Sequence, residues 1–352
     1  MKKNLTYSLI ALAAVSICAV SCINSEWGNR ATAGTTVKVD KESTVSAESF
    51  FQLKDNKFIK TDNDGEFVVD VPAKTPIEET PTFSGDVGSI KGQIVIDGAG
   101  VPPIASTESG GAFEEPAIVI TVTNPSPDKI KFKGEVSIKG ASNIALPDCI
   151  IDGNKTVDIV YTADITDPDI KGDLYVAIPA PLANAIAKMP ESITITDMSV
   201  SSATKAPIQT AAFGLMRLNG AYRARMHMAP NTTYKIHQTF RNLGFDLDDY
   251  IDYEATQYKV NLDVTNRMPI EFTMDIDSEG YKASLDNPVK AGSVADPVSS
   301  HVVMSVKAPK APVSRLNDMD IVVTATANKR CAFGDLHKVT IHMESLKVDV
   351  IK

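Results

Sequence analysis

After about residue 85, short apolar runs and runs that alternate apolar with polar residues predict β-strands almost throughout the chain. Residues 131–138 follow the alternating pattern, which is typical of a half-buried β-strand. In residues 222–228 a tyrosine, an alanine and two methionines alternate with two arginines and a histidine, which indicates an antiparallel strand with one face in solvent. One stretch, at 181–189, is rich in alanine and predicts a helix with proline in its first turn. Further strands are predicted at 92–96, 117–122, 156–162, 173–178, 192–200, 257–265, 269–276, 301–307, 319–327 and 337–350.

The region before residue 85 is different. Residues 22–48 are rich in Ser, Thr, Gly, Lys and Glu and predict a flexible tether. Within 49–72, Asp-Asn and Asp-Gly pairs separate short apolar runs, which is a strong hairpin signal and predicts a small three-stranded meander. Three prolines in 72–83 predict a second linker.

Two parts of the chain resemble each other. Residues 120–132 and 262–272 each contain Val-Thr-Asn, a proline three residues after the asparagine, and then Ile-x-Phe. Further on, proline pairs at 178–181 and 308–312 both precede a predicted strand. Asparagine hydrogen-bonds its own backbone and proline presets φ, so Asn-x-x-Pro predicts a tight corner between strands. The repeat predicts two related tandem domains; the alternative is that two β-sandwiches share strand–turn–strand patterns by chance.

These patterns predict an all-β fold: two tandem immunoglobulin-like β-sandwiches preceded by a small β-hairpin element. The corner motif resembles the Asn-Pro turns of sandwich domains related to late-embryogenesis-abundant proteins. The predicted domains are a signal peptide at 1–21, a lipid-anchored tether at 22–48, a β meander and Pro-rich linker at 49–83, a first sandwich at 84–208 and a second at 209–352.

The N-terminus has the order of a secretory signal: two lysines, an uncharged apolar run over 9–20, and small residues at its end. The apolar run is shorter than the roughly 20 residues of a transmembrane helix. It ends in Ala19-Val20-Ser21-Cys22, which resembles the lipobox of bacterial lipoproteins. An ordinary signal peptide cut elsewhere is the alternative. Cys18 is a rival acceptor, but the bulky Ile17 precedes it.

The resemblance implies that residues 1–21 are removed and that Cys22 receives diacylglycerol and an acyl chain such as palmitate. The residue after Cys22 is not aspartate, which favours the outer membrane over the inner one. Surface-exposed Bacteroidetes lipoproteins carry acidic residues just past the cysteine, and Glu26 fits that pattern. The chain therefore resembles a Bacteroidetes-type outer-membrane lipoprotein with tandem β-sandwich domains, exposed on the cell surface rather than facing the periplasm.

Composition narrows the range of partners. The net charge is −9, and loss of the two signal-peptide lysines makes it more negative still. Nucleic acid is not expected as a partner, because phosphate binding needs a basic surface. Beyond the signal region two cysteines remain, Cys149 and Cys331. They could pair in an oxidising envelope, but two buried thiols are the better interpretation since they are predicted in different domains.

No catalytic motif is visible. There is no Gly-x-Ser-x-Gly elbow and no Gly-rich phosphate loop before a helix. The five histidines have no metal-ligand spacing on a helix, and each is interpreted as a lone surface or edge residue. The sequence thus predicts no enzyme, no metal and no cofactor. A carboxylate pair brought together only by the fold stays open, because such closeness is tertiary.

The candidate binding segment is acidic and aromatic and lies at 245–254. Its carboxylates could hold Ca²⁺, and its tyrosines could stack on sugar rings or fill a partner's pocket. The alternative is a solvated connection that buries its aromatic rings. A second acidic run at 275–280 is better explained as a hairpin turn than as a calcium loop. The candidate binding residues are Asp246, Asp248, Asp249, Tyr250, Asp252 and Tyr253.

The sequence therefore predicts a non-enzymatic envelope lipoprotein that acts as a binding, adhesive or scaffold module at the outer membrane. Its expected partners are the membrane, through the lipid anchor, and an envelope protein or an extracellular glycan. One alternative is a glycan-binding accessory lipoprotein of a polysaccharide-uptake system. The single tryptophan, Trp27, lies in the tether, which weighs against a tryptophan platform for sugars. The other alternative is an envelope hydrolase whose site is not visible in the sequence.

Overall fold

The computed structural model is almost entirely β. It describes residues 36–105, 112–139, 143–204, 207–210, 213–240, 245–246, 257–278, 281–307, 315–316 and 318–349. Contacts between Cα atoms divide the chain into two compact units. The first sandwich is the unit Asp55–Ala229. The second sandwich combines the chain up to Lys54 with Pro230–Lys352.

The described chain begins with two elements of the second sandwich, β1 (Thr36–Ser46) and the short helix α1 (Ala47–Phe50). The chain then forms the first sandwich. Its elements are β2 (Ile59–Thr61), β3 (Phe67–Pro72), β4 (Ile77–Glu79), β5 (Thr82–Ser84), β6 (Val87–Ser89), β7 (Ile94–Asp97), a 3₁₀ turn (Pro103–Ala105), β8 (Ala117–Asn124), β9 (Ile130–Ile138), β10 (Ile144–Ala145), β11 (Cys149–Ile151), β12 (Lys155–Thr162), β13 (Leu174–Ala177), the helix α2 (Ala180–Ile186), β14 (Ser192–Ser202), β15 (Met216–Arg225) and β16 (His227–Met228).

The chain returns to the second sandwich after residue 229. Its remaining elements are β17 (Thr232–Phe240), β18 (Phe245–Asp246), β19 (Gln257–Asn266), β20 (Glu271–Ser278), β21 (Tyr281–Leu285), β22 (Val298–Lys307), β23 (Arg315–Leu316), β24 (Met319–Ala327), β25 (Cys331–Ala332) and β26 (Lys338–Asp349).

Two sheets form the first sandwich. One has the order β10-β9-β14-β6-β5, with β11 also beside β9 and β7 also beside β14. The other has the order β13-β12-β8-β15-β3-β2, with β4 also beside β15. Buried and outward residues alternate along β9, whereas the first four residues of β8 and the last four of β12 are all buried. The apolar faces form one core, because burying apolar surface is the main favourable term in folding.

The second sandwich is one curled sheet with the order β1-β26-β19-β22-β21-β20-β24-β17. Leu262 and Val264 are buried on β19, the third strand in this order, and Met274 and Ile276 are buried on β20, the sixth. The short strand β21 pairs with both β22 and β20 and thereby joins the two layers. The core again consists of inward residues at period two, with polar residues on the outward faces.

The same pairing order occurs in both units. β8 lies between β12 and β15, just as β19 lies between β22 and β26. β9 pairs with β14, just as β20 pairs with β24. An additional strand then covers the outer edge of β15 or β26: β3 in the first sandwich and β1 in the second. The repeat predicted from the sequence coincides with this repeated order of strands.

The corner after β8 is held by a buried asparagine. The side-chain oxygen of Asn124 accepts a hydrogen bond from the Ser126 N–H at 3.0 Å. Its amide nitrogen donates to the carbonyl oxygen of Asp128 at 2.9 Å and to that of Asp152 at 3.0 Å. Asn124 is fully buried, so these bonds satisfy a polar group that would otherwise destabilise the core.

The corner after β19 repeats this arrangement at Asn266. Its oxygen accepts from the Met268 N–H at 2.8 Å. Its amide nitrogen donates to the carbonyl oxygens of Ile270 at 2.9 Å and Lys290 at 2.8 Å. In both corners the bonds run to residues two and four positions later and to the loop before the next large strand. Each asparagine therefore ties three chain segments together at one point of its sandwich.

Part of the predicted tether at 22–48 forms a strand, while its residues 22–35 lie outside the described residues. Residues 36–46 lie within the predicted tether 22–48, yet they form β1 and pair with β26 from Thr36↔Lys347 to Ser46↔Lys338. The strand forms because β26 offers an open edge to pair with, although the composition of the segment is polar. The strand β1 therefore belongs to the second sandwich, although it precedes all strands of the first sandwich along the chain.

The predicted meander and linker at 49–83 also differ in part. Its first predicted strand is instead α1, because Ser46 caps the helix by accepting from the Ser49 N–H at 3.2 Å. Phe50 and Phe51 pack edge to face at 5.1 Å between ring centroids. The Asp-Gly turn does join a hairpin, β2–β3. The proline-containing segment is not a free linker, because β4 pairs with β15.

The boundary between the two units lies about twenty residues beyond the predicted one at 208/209. β15 was predicted to start the second domain, but it pairs with β8 and β3 and completes the first sandwich. The immunoglobulin-like order is not confirmed. In that fold the last two strands are neighbours in one sheet, whereas here β26 lies between β1 and β19 while β24 pairs with β20 and β17.

Two further observations bear on the sequence predictions. Among the described residues, no helix is long and apolar enough to cross a membrane. Cys149 and Cys331 are both buried thiols, and burial raises the pKa of Cys149 above its usual value. A buried thiol with a raised pKa carries little thiolate at neutral pH, so Cys149 serves the core as a small apolar group.

Candidate functional site: a histidine–carboxylate face on the second sandwich

Most of the site residues predicted from the sequence lie outside the described residues. These are Cys22, Asp248, Asp249, Tyr250, Asp252 and Tyr253. Asp246 lies in β18, where its backbone pairs with Arg315 of β23. Of the second acidic run, expected to be a turn, residues 275–278 lie in β20, which pairs with β21, and residues 279–280 lie outside the described residues. There Asp277 forms an ion pair with Lys282 at 3.1 Å.

A different cluster lies on the outward face of the second sandwich. Asp263 of β19 has His301 of β22 directly opposite on one side and His342 of β26 directly opposite on the other. Successive residues of a strand point to opposite faces. Since Leu262 and Val264 are buried, Asp263 points outward, and its two neighbours form a row with it across three strands. The register of the sheet, not proximity in sequence, brings these three residues together.

A β-bulge adds a second carboxylate to this row. In β26, Met343 is opposite Leu262 and Ser345 is opposite Asn261, so Glu344 has no residue opposite it. Bulges of this kind change the direction of a side chain. The Glu344 carboxylate reaches across β19, and its Oε2 lies 3.9 Å from the His301 Nδ1.

The ligand atoms of Asp263, His301 and Glu344 converge. His301 Nδ1 lies 2.9 Å from Asp263 Oδ1, and one ligand atom from each residue lies within 4.8 Å of the others. The side chains of these residues are 45%, 56% and 44% exposed, respectively. The cluster is therefore open to solvent, and it is supported from below by strands whose inward residues belong to the core.

A second histidine–carboxylate pair continues the cluster toward the edge of the sheet. His342 Nε2 lies 2.8 Å from Asp40 Oδ1. Asp40 belongs to β1, where the register with β26 shifts between Lys38 and Lys41. Its φ of 56° lies in the left-handed region, which aspartate tolerates better than most residues. We call Asp40, Asp263, His301, His342 and Glu344 the histidine–carboxylate face.

Electrostatics couples the members of this face. Hydrogen bonding to Asp263 raises the pKa of His301, and the same bond lowers the pKa of Asp263. The hydrogen bond with Asp40 raises the pKa of His342 and lowers that of Asp40. Because these groups are exposed, each pair stabilises the fold only weakly. The face is thus a concentration of proton- and cation-binding groups rather than a structural clamp.

The equivalent positions of the first sandwich carry other residues. Asp158 of β12 and Asn219 of β15 lie opposite Thr121 of β8, as His301 and His342 lie opposite Asp263. There the Thr121 hydroxyl donates to Asp158 Oδ1 at 2.6 Å. This trio contains one carboxylate and no imidazole. The two sandwiches therefore share a strand order and differ in the chemistry of one outward row.

A second histidine cluster, in the first sandwich, is more enclosed. His227 Nδ1 lies 2.9 Å from Asp169 Oδ2, and its Nε2 lies 2.8 Å from Glu66 Oε2. Arg225 pairs with Glu66 at 3.2 Å and with Asp62 at 2.7 Å. Only 12% of the His227 side chain is exposed. Burial lowers the pKa of His227, but hydrogen bonds with Asp169 and Glu66 outweigh it and raise the net value.

This network joins the β2–β3 hairpin to the end of β15 through charges that already have partners. Such satisfied ion networks are most simply structural. The histidine–carboxylate face differs because its groups are open to solvent on one side. Sequence reasoning missed it, since His301 and His342 were each interpreted as isolated. The repeat in the sequence indicates that Asp263, three positions before Asn266, has a counterpart in the first sandwich. Which residues lie opposite Asp263 follows only from the strand register of the folded sheet.

Comparisons with known proteins define the fold but not a family. No family model and no curated protein matches the chain. A Parabacteroides distasonis protein classed as secreted is 15% identical, with 89% of this chain and 99% of that one covered and a TM-score of 0.57. The tandem CBM22-1-CBM22-2 domain of Paenibacillus barcinonensis Xyn10C is 8% identical, with 92% and 100% covered and a TM-score of 0.19. The second score carries no argument, so the chain shares its all-β fold with the Parabacteroides protein.

Proposed function

We propose that the protein is an outer-membrane lipoprotein that displays two β-sandwiches as a non-enzymatic binding or scaffold module at the cell envelope. Two observations support the proposal. The Ala-Val-Ser-Cys22 sequence resembles a lipobox, and two acyl chains or more give stable anchoring. A protein of the same fold, from the Bacteroidetes member Parabacteroides distasonis, is classed as secreted.

The observation that carries the binding role is the histidine–carboxylate face. Five titratable side chains, Asp40 and Glu344 among them, share one outward surface of a rigid sheet. Exposed polar clusters of this kind contribute little to stability, so their concentration on one sandwich points to a surface that meets something in solution. A site built on strands is also held more rigidly than one built on loops.

On this proposal, the surface lies on the unit that follows the lipidated Cys22 first along the chain. About 14 residues separate Cys22 from Thr36, where β1 begins. An extended chain spans at most ~3.5 Å per residue, so the start of β1 lies within roughly 50 Å of the lipid anchor. β1 carries Asp40 of the histidine–carboxylate face. The second sandwich is therefore the unit joined directly to the membrane anchor.

Anchoring is tested by metabolic labelling with palmitate. The wild-type chain is expected to take up label and to partition with the outer membrane, whereas Cys22→Ala takes up none. Cys18→Ala is the matched control, because it removes the rival acceptor and should leave labelling unchanged. Labelling of Cys22→Ala would refute the anchor.

The binding role is tested by affinity capture of the full-length protein from its own membrane after mild cross-linking. The proposal predicts that a defined envelope protein co-purifies with the wild-type chain. A variant with Asp263→Asn and His301→Gln should lose that partner while its circular dichroism stays unchanged. Recovery of a polysaccharide without any protein would overturn the proposal in favour of the glycan-binding alternative. Release of small products from envelope polymers would instead favour the hydrolase alternative.

A further inference from the structure

We infer that Asp263, His301 and Glu344 form a binding site for a divalent transition-metal cation, with Zn²⁺ as its best-suited occupant. The inference goes beyond the proposed binding role, because it assigns an inorganic ligand to three named side chains.

The geometry matches the size of a zinc site. Zn²⁺ binds histidine nitrogen and carboxylate oxygen at about 2.0–2.2 Å, which places tetrahedral ligand atoms about 3.3–3.6 Å apart. Here His301 Nδ1 lies 2.9 Å from the Asp263 carboxylate and 3.9 Å from the Glu344 carboxylate. All three ligand atoms lie within 4.8 Å of one another. Small rotations of exposed side chains bring them to the distances that a cation requires.

The donor set matches the chemistry of the ion. One imidazole and two carboxylates suit Zn²⁺ and similar first-row ions, whereas Ca²⁺ and Mg²⁺ prefer oxygen ligands alone. The two carboxylates together carry two negative charges, which a divalent cation balances. Because a metal ion and a proton compete for His301 Nδ1, binding weakens as the pH falls. Three protein ligands leave a fourth position open to water or to a group from a partner.

The site is preformed by the sheet rather than by a loop. Asp263 and His301 are direct neighbours on β19 and β22, and the β26 bulge directs Glu344 toward them. His342, on the other side of Asp263, has its Nε2 bonded to Asp40 at 2.8 Å. The His342–Asp40 pair is thus a polar neighbour of the three ligands and is not itself one of the ligands.

The first sandwich supplies an internal control. Thr121, Asp158 and Asn219 occupy the positions that correspond to Asp263, His301 and His342, and they contain one carboxylate and no imidazole. There the Thr121 hydroxyl donates a hydrogen bond to the Asp158 carboxylate and links β8 to β12, the counterparts of β19 and β22. The His–Asp pair of the second sandwich is therefore not required by the fold, which is consistent with a role in ligand binding.

The test is a Zn²⁺ titration of the full-length protein in detergent, without a polyhistidine tag, against a chromophoric chelator. The wild-type chain is expected to bind one Zn²⁺ per chain saturably. His301→Gln should weaken binding by at least about tenfold, since the loss of supporting groups alone costs 10–100-fold. His237→Gln is the matched control, because His237 is an exposed histidine on β17 of the same sandwich. It should leave the affinity unchanged.

A second variant separates ligand loss from misfolding. Asp263→Thr with His301→Asp transplants the Thr–Asp pair of the first sandwich, so a cross-strand hydrogen bond is kept while the imidazole is lost and the number of carboxylates stays the same. Its thermal unfolding should match that of the wild-type chain, and its Zn²⁺ binding should weaken at least as much as that of His301→Gln. Replacement of Zn²⁺ by Co²⁺ adds a spectroscopic readout, since visible absorption bands should appear in the wild-type chain alone. The inference is overturned if wild type and His301→Gln bind Zn²⁺ equally, or if neither binds it saturably.

Discussion

The two sandwiches use one strand order for two different surfaces. In each, a large central strand lies between two neighbours and ends in a buried asparagine corner, at Asn124 in the first and Asn266 in the second. Their outward rows differ: Thr121 in the first corresponds to Asp263 in the second. Inward and corner positions are fixed by packing and hydrogen bonding, whereas outward positions are free to differ. The face that departs from the shared pattern is therefore where a distinct function is expected.

The largest effect is expected at the asparagine corners. Asn124→Ala and Asn266→Ala each remove a buried side chain that bonds three backbone groups. Each should lower the free energy of unfolding of its own sandwich by about 3 kcal/mol, because the abandoned groups stay buried without partners. Hydrogen exchange of amides in β8 and β19, followed in urea, assigns the loss to one unit. Asn184→Ala, on an exposed position of α2, is the control and should change little.

A slightly smaller effect is expected at two glycines beside the same corners. A Cβ at Gly153 would collide with the carbonyl oxygen of Pro127, and a Cβ at Gly292 with that of Asn266. Replacing either glycine by alanine should lower the free energy of unfolding by about 2 kcal/mol, because the backbone must move to make room for the added methyl group. Gly134→Ala is the comparison, since its Cβ would meet Ile195 and Met198 at an ordinary 3.4 Å. Equal stability of all three variants would argue against close packing at the corners.

The enclosed histidine network predicts a pH dependence confined to the first sandwich. The pKa of His227 is raised in the folded state, so its contribution is fully present below its ordinary pKa of 6.5. It is lost as pH rises through the raised value. His227→Gln should therefore cost about 2 kcal/mol at pH 6 and clearly less at pH 9, as measured by urea unfolding with exchange in β15. A loss that is the same at both pH values would contradict the charged network with Glu66 and Asp169.

The smallest effect on stability is expected at the exposed face. His301→Gln should change the free energy of unfolding of the second sandwich by less than about 0.5 kcal/mol, because exposed pairs contribute little. Amide hydrogen exchange in β19, followed in urea at pH 6, measures this change. A cost as large as that of His227→Gln would mean that the face is structural after all, and it would remove the contrast with the enclosed network.

The sequence predicted strands well where the pattern of apolar residues within a single strand is sufficient to identify it. The alternation at Tyr222, Ala224, Met226 and Met228 indicated one apolar face, and all four side chains are fully buried. The strands β8, β9, β14 and β24 lie where the pattern placed them. Period-two alternation is a local property of the chain, so one sequence is sufficient to recognise it.

The sequence could not predict features that depend on distant pairing. The polar composition of β1 predicts a flexible tether. In the structure its Ser43 nevertheless pairs with Ile341, almost three hundred residues later in the chain. The histidine–carboxylate face likewise depends on three strands and a bulge: Asp263 and His301 are 38 residues apart, and Glu344 reaches them only because β26 shifts register. Contacts of this kind follow from the register of the sheet, which no periodicity within a single strand contains.

The central claim is that one outward row distinguishes the second sandwich as a cation-binding face on a shared frame. The most direct test is X-ray diffraction from crystals soaked in Zn²⁺, with anomalous data collected on both sides of the zinc absorption edge. The account predicts one anomalous peak, about 2.0–2.2 Å from ligand atoms of Asp263, His301 and Glu344, and none beside Thr121 and Asp158. Absence of a peak at the former position, or peaks of equal height at both, would contradict it.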